Sequence, residues 1–152
     1  MRGEEAAVLY EAMRVGANSE AVLGTIHGAD AASVRERVVT DLGVSPTAFG
    51  ATDLVVTLGF VNGERGVRTI EELHGHESFA PLFRREDGAL VQTPRIDRGN
   101  SRLVTALAES TERYADVRKR LQARARTVAT LAAEGRTETP AVRARAGSSE
   151  QR

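Results

Sequence analysis

The sequence predicts a mixed α/β fold in which helices alternate with short buried strands, an antiparallel region follows, and an amphipathic helical segment comes last. Three observations predict it. Apolar residues recur at helical spacing in residues 4–15 and again over residues 30–42. Short continuous apolar runs stand at residues 21–26 and 54–61. Two turn dipeptides, Asn62-Gly63 and Asp87-Gly88, each divide a pair of strand-like runs.

In residues 4–15, Ala6, Leu9, Tyr10 and Met13 fall at i, i+3, i+4 and i+7, so one helix face is apolar, and Gly16 is a natural stop. Glu4 and Glu5 occupy the first turn, where negative charge suits the helix dipole. The run Ala21-Val-Leu-Gly-Thr-Ile26 is uniformly apolar apart from Thr25, the pattern of a strand buried on both faces of a parallel sheet. Asp30 then caps a second helix reaching about Asp41, with Val34, Val38 and Leu42 on its inner face. Strand, loop and helix make the unit at whose strand ends open α/β sheets bind ligands, and Thr25 and His27 stand at such an end.

Leu54-Val-Val-Thr-Leu-Gly-Phe-Val61 predicts another buried strand. Asn62-Gly63 then turns the chain into residues 66–73. Residues 79–85 and 89–93 repeat the hairpin across Asp87-Gly88. From Ser101 onward, Leu103, Leu107, Tyr114, Val117, Leu121, Val128 and Leu131 predict an amphipathic helix or a kinked helix pair. Its basic residues include Arg113, Arg118, Lys119, Arg120, Arg124 and Arg126. This outer face suits either solvent or an anionic membrane surface. Residues 135–152 hold almost no large apolar side chain and are expected to be disordered.

Composition narrows the function. The chain of 152 residues fits one domain or a piece of a larger one, and 41% hydrophobic with 28% charged residues is ordinary globular usage. With no cysteine, disulfides, thiolate nucleophiles and Cys-based zinc sites are excluded. The 21 basic residues balance the 21 acidic ones, so bulk electrostatics gives no case for nucleic-acid binding. A P-loop needs a Gly-rich turn followed by lysine. The sole lysine, Lys119, lies in Val-Arg-Lys-Arg-Leu-Gln, so the chain carries no such motif. His74 and His76 form an H-x-H pair without an evident third ligand, which reads as a polar turn before it reads as a metal site.

Arg2-Gly3-Glu4, the helix Leu9-Tyr-Glu-Ala-Met-Arg-Val-Gly16 and the segment Leu23-Gly-Thr-Ile-His27 together resemble the secretion-type ATPases of type II and type IV secretion, type IV pili and the archaellum, closest to the archaeal branch. There the first triplet ends a Walker B signature and the last segment is the His box. The resemblance extends to about Phe60. It implies the C-terminal half of a RecA-like P-loop ATPase core over residues 1–60. An antiparallel extension over 61–98, a helical segment over 99–134 and a basic tail over 135–152 would follow. The Walker B glutamate would stand just before Met1, and a GTG valine codon read as a start accounts for Met1 where the family carries Ile or Val.

The resemblance further implies ATP and Mg2+ as the family's ligands, with neither expected to bind this chain alone. It implies a homo-oligomeric ring, a hexamer, working beside a membrane platform protein, and a cytoplasmic location at the inner face of the cell membrane. The residues it marks as nucleotide-sensing or subunit-interface candidates are Arg2, Thr25, His27 and Arg35; no complete catalytic set is present. From its pattern alone, Arg35 reads as part of a solvated helix face before it reads as an interface residue. A non-enzymatic truncated paralogue, acting as a docking or regulatory module, is the alternative. Without the P-loop strand and its neighbours, the runs at Val22 and Leu54 would lack some of their sheet partners, which predicts poor solubility for the isolated chain. An independently evolved module would instead be a monodisperse monomer.

Overall fold

The computed structural model describes residues 3–15, 22–75, 77–136 and 138. They fall into two compact units, Met1–Leu103 and Val104–Arg152.

In the first unit, helix α1 spans Gly3–Val15 as its apolar stripe requires. Ala6 is fully buried, and Tyr10 stacks on Phe49 with ring centroids 5.8 Å apart. Helix α2, Ala31–Glu36, begins with a capping box. Asp30 accepts from Ser33 N at 2.7 Å, and the Ser33 hydroxyl accepts from Asp30 N at 3.0 Å. The helix then widens into a π-turn, Arg37–Asp41, closed by Leu42 N donating to Arg37 O at 3.0 Å. Helix α3, Pro46–Phe49, is one turn started by the Ser45 cap and by proline at its first position, and it delivers Phe49 to the core.

Four strands follow as an antiparallel meander: β1 Leu54–Val61, β2 Glu64–His74, β3 Ser78–Glu86 and β4 Ala89–Gln92, in spatial order β1-β2-β3-β4. Both turn dipeptides hold positive φ at each central residue, 52° and 85° at Asn62-Gly63 and 48° and 81° at Asp87-Gly88. That is the conformation tight hairpins favour because it matches strand twist. Register slips by one residue twice. Arg68 is the extra residue of β2 against β1, and Leu82 that of β3 against β2. Leu73 closes the core with Phe49, Val38, Val44, Ala48 and Ala6, while Phe79 meets Phe49 edge-on at 6.2 Å. A short helix α4, Pro94–Asp97, leads to α5, Arg102–Ala106.

In the second unit the expected helical segment is a pair. After α5 the helix stops, and α6, Tyr114–Ala133, starts where Arg113 N donates to the Asp116 carboxylate at 3.1 Å. Within the break, Glu109 and Glu112 both pair with Arg120. Val117 and Leu131 are the buried residues of α6.

Helices α1, α2 and α6, both turns and the antiparallel region match the sequence reading; the short helices α3 and α4 are not part of it, and two strand expectations fail. Residues 22–28 form no strand, and Leu23 is 96% exposed. An apolar run becomes a strand only when neighbours take its backbone N–H and C=O groups. Among the described residues every strand pair is antiparallel and none includes this segment. The strand at 54–61 forms, but as a sheet edge rather than a buried strand. Its even-numbered residues Leu54, Val56, Leu58 and Phe60 are exposed, and only Thr57 is buried. Residues 139–152, the greater part of the expected disordered tail, lie outside the described residues, as does His76.

Candidate functional site

The residues singled out by the sequence sit at the junction between the 22–28 segment and α2. Arg2 lies outside the described residues. Thr25 and His27 are exposed, while Ile26 between them packs against the core. One residue of three is therefore anchored and its neighbours face outward. Gly28 allows the close passage that follows: a Cβ there would stand 2.5 Å from Val34 Cγ2. The capping box fixes the next two residues, with Ala29 N also donating to the Ser33 hydroxyl at 2.9 Å. His27 is thus carried on a pinned backbone.

Asp30 is the electrostatic product of that cap. The Ser33 backbone N–H, then its hydroxyl, hold the Asp30 carboxyl below its ordinary value, and Arg68 adds a smaller attraction. Arg68 can lie across the sheet because Gly59 on β1 leaves room for its methylenes, a Cβ at Gly59 being only 2.5 Å from Arg68 Cδ. Arg35, one turn into α2, is partly buried and pairs through Nη2 with the exposed Glu77 carboxylate at 3.3 Å. Its Nε is buried without a hydrogen-bond acceptor among the described residues. The structure thus sets Arg35 against the β2–β3 connection.

The most completely built polar site was not singled out by the sequence. Glu72, near the C-terminal end of β2, is 1% exposed. Its Oε1 accepts from Arg95 Nε at 3.1 Å, and its Oε2 accepts from the Ser101 hydroxyl at 2.7 Å and Leu103 N at 3.0 Å. Burial pushes the Glu72 carboxyl up. The Leu103 N–H, the Ser101 hydroxyl, Arg95 and the Arg102 N–H together outweigh that and hold it below the ordinary glutamate value. The only local hint is the order Ile70-Glu71-Glu72-Leu73, where two adjacent acids inside a strand must point to opposite faces. Its donors lie 23 to 31 residues away, beyond any local pattern.

The depressions on α1 do not suit the phosphate chain of ATP with its Mg2+. The shallow depressions on α1 are lined by Ala7, Val8, Glu11 and Ala12 and by Glu4, Glu5 and Leu9, and alkyl groups with carboxylates oppose phosphate. No group of three or more His, Cys, Asp or Glu side chains able to hold a metal ion occurs among the described residues. No described helix is long and apolar enough to cross a membrane. Comparison with protein-family models, with curated proteins and with solved structures finds no match.

Proposed function

We propose that the chain is the C-terminal part of a subunit of a secretion, type IV pilus or archaellum assembly ATPase, a ring motor that couples ATP hydrolysis to filament assembly or protein export. In this reading it supplies sensing and interface groups rather than the nucleotide cradle. The observation that carries it is the placement of the segment resembling the His box. Thr25 and His27 project outward from a backbone held by Ile26, Gly28 and the Asp30–Ser33 cap. An imidazole so presented can hydrogen-bond a phosphate oxygen or a neighbouring subunit's carboxylate. Arg35, with one buried N–H lacking an acceptor among the described residues, is the second interface candidate.

The alternative, a docking or regulatory module without catalysis, draws on the exposed apolar row of β1. Translating the DNA preceding Met1 in frame separates the two. Codons for Gly-Glu followed farther back by a P-loop are the expected result, and an in-frame stop codon would overturn the motor reading. If the longer chain exists, His27→Ala in it is expected to lower ATP turnover about 10- to 100-fold, the range of an interaction worth a few kcal/mol, with the melting temperature unchanged.

A further inference from the structure

A carboxylate buried in a sheet is costly unless paired and hydrogen-bonded, and Glu72 is both. Strand alternation sends Leu73 into the aromatic core and Glu72 to the opposite face of β2. There the carboxylate meets the chain as it enters α5. The Arg102 and Leu103 N–H groups, which donate to it, belong to the first two helical residues of α5, whose amides have no partner within the helix. Ser101 stands where a helix normally receives its own cap. Its hydroxyl donates to Glu72. A residue 29 to 31 positions upstream therefore caps this helix from another element.

Arg95 extends the arrangement. It donates to Glu72 through Nε and to Asn100 O through Nη2 at 2.8 Å, and Asn100 N returns a bond to Arg95 O at 2.9 Å. The connection between α4 and α5 is thereby closed on itself and fastened to one carboxylate. Leu103 is the last residue of the first unit.

We infer that Glu72 is a clasp, a positioning residue whose single carboxylate holds residues 101–103, at the entry to α5, against the sheet. The clasp acts on residues 95–103 and leaves the fold of the meander to the core on its other face. It is independent of any nucleotide chemistry and stands whether or not the motor reading does.

Amide hydrogen exchange on the full chain tests it, with Glu72→Gln and Ser101→Ala compared with the unaltered protein. Glu72→Gln keeps the shape and removes the charge. It is expected to speed exchange at Arg102 and Leu103 about tenfold or more, as loss of a charged acceptor requires. The strand amides of β2 and β3 facing the aromatic core should stay within about twofold, since local opening is decoupled from global unfolding. Ser101→Ala should move the same two amides in the same direction by less. Unchanged exchange at Arg102 and Leu103 would overturn the clasp, and so would an equal acceleration across the whole sheet, which would make Glu72 a general core stabiliser. Should Glu72→Gln not fold, Ser101→Ala, which deletes one donor and no charge, decides on the same readout.

Discussion

At the scale of single residues, two buried polar groups with opposite states of satisfaction predict opposite outcomes. Glu72 is fully hydrogen-bonded and held below the ordinary glutamate value despite its burial. A carboxyl whose folded value is depressed contributes stability that is present above its unfolded value and is lost as pH falls through its folded one. The protein should therefore lose stability to urea as pH is lowered below the ordinary glutamate range near pH ~4. Glu11, Asp30 and Asp116 are depressed as well. They persist in Glu72→Gln, so the difference between the two pH profiles isolates Glu72. Urea midpoints between pH 7 and about 3 should converge as the pH falls; parallel profiles would show that the Glu72 bonds contribute no pH dependence. Thr57 is the reverse case. Its hydroxyl is buried without a partner among the described residues. Replacing it with valine removes an unsatisfied oxygen at nearly constant shape, so Thr57→Val should stabilise by about 1 kcal/mol. Chemical denaturation reads this directly, and a loss of stability would mean that the hydroxyl is hydrated.

At the scale of elements, what the sequence made legible was whatever local chemistry decides. Asn62-Gly63 and Asp87-Gly88 predicted two hairpins because few other residues accept positive φ at both central positions, and both formed. Asp30 announced α2 because its cap partners lie within three residues. The helix stripe of Ala6 and Tyr10 was equally visible. The 22–28 segment was misread because its strand character depends on a neighbour that composition cannot supply. The Glu72 clasp was invisible because its partners come from the far side of a hairpin. Within the candidate site, the position of Thr25 and His27 just before a capped helix was readable, but the pairing of Arg35 with Glu77, 42 residues on, was not. The hairpins also admit a sharp test. At Gly63, with φ of 85°, nothing lies within 4 Å of where a Cβ would be. Any cost of Gly63→Ala is therefore conformational alone, about 1–2 kcal/mol. Gly63→Asn should recover much of it, since asparagine tolerates left-handed backbone. Equal stability of the alanine variant and the native chain would refute a turn that depends on φ.

At the scale of the whole molecule, the decisive feature is the unprotected edge of the sheet. Among the described residues β1 pairs only with β2, so one row of its backbone donors and acceptors has no described strand beside it. The strand Leu54-Val-Val-Thr-Leu-Gly-Phe-Val61 carries no charge and no proline, the devices that normally blunt an edge. Its irregularity against β2 falls on Arg68 of the partner strand, leaving β1 itself regular. Leu58 is 68% and Phe60 74% exposed, and Arg65 covers Phe60 only from 5.9 Å. Uncharged, regular and apolar edges recruit other strands. The isolated chain should therefore associate as its concentration rises. Leu58→Lys puts a charge on the exposed face without touching the buried Thr57 face. It should raise the concentration at which light scattering appears while leaving the melting temperature of the dilute protein within a few degrees, since surface substitutions rarely exceed about 0.5 kcal/mol. A concentration-independent monomer for the native chain would show that this edge is already covered. The segment to examine as its cover would then be the one carrying Val22 and Leu23, two exposed apolar residues ahead of α2.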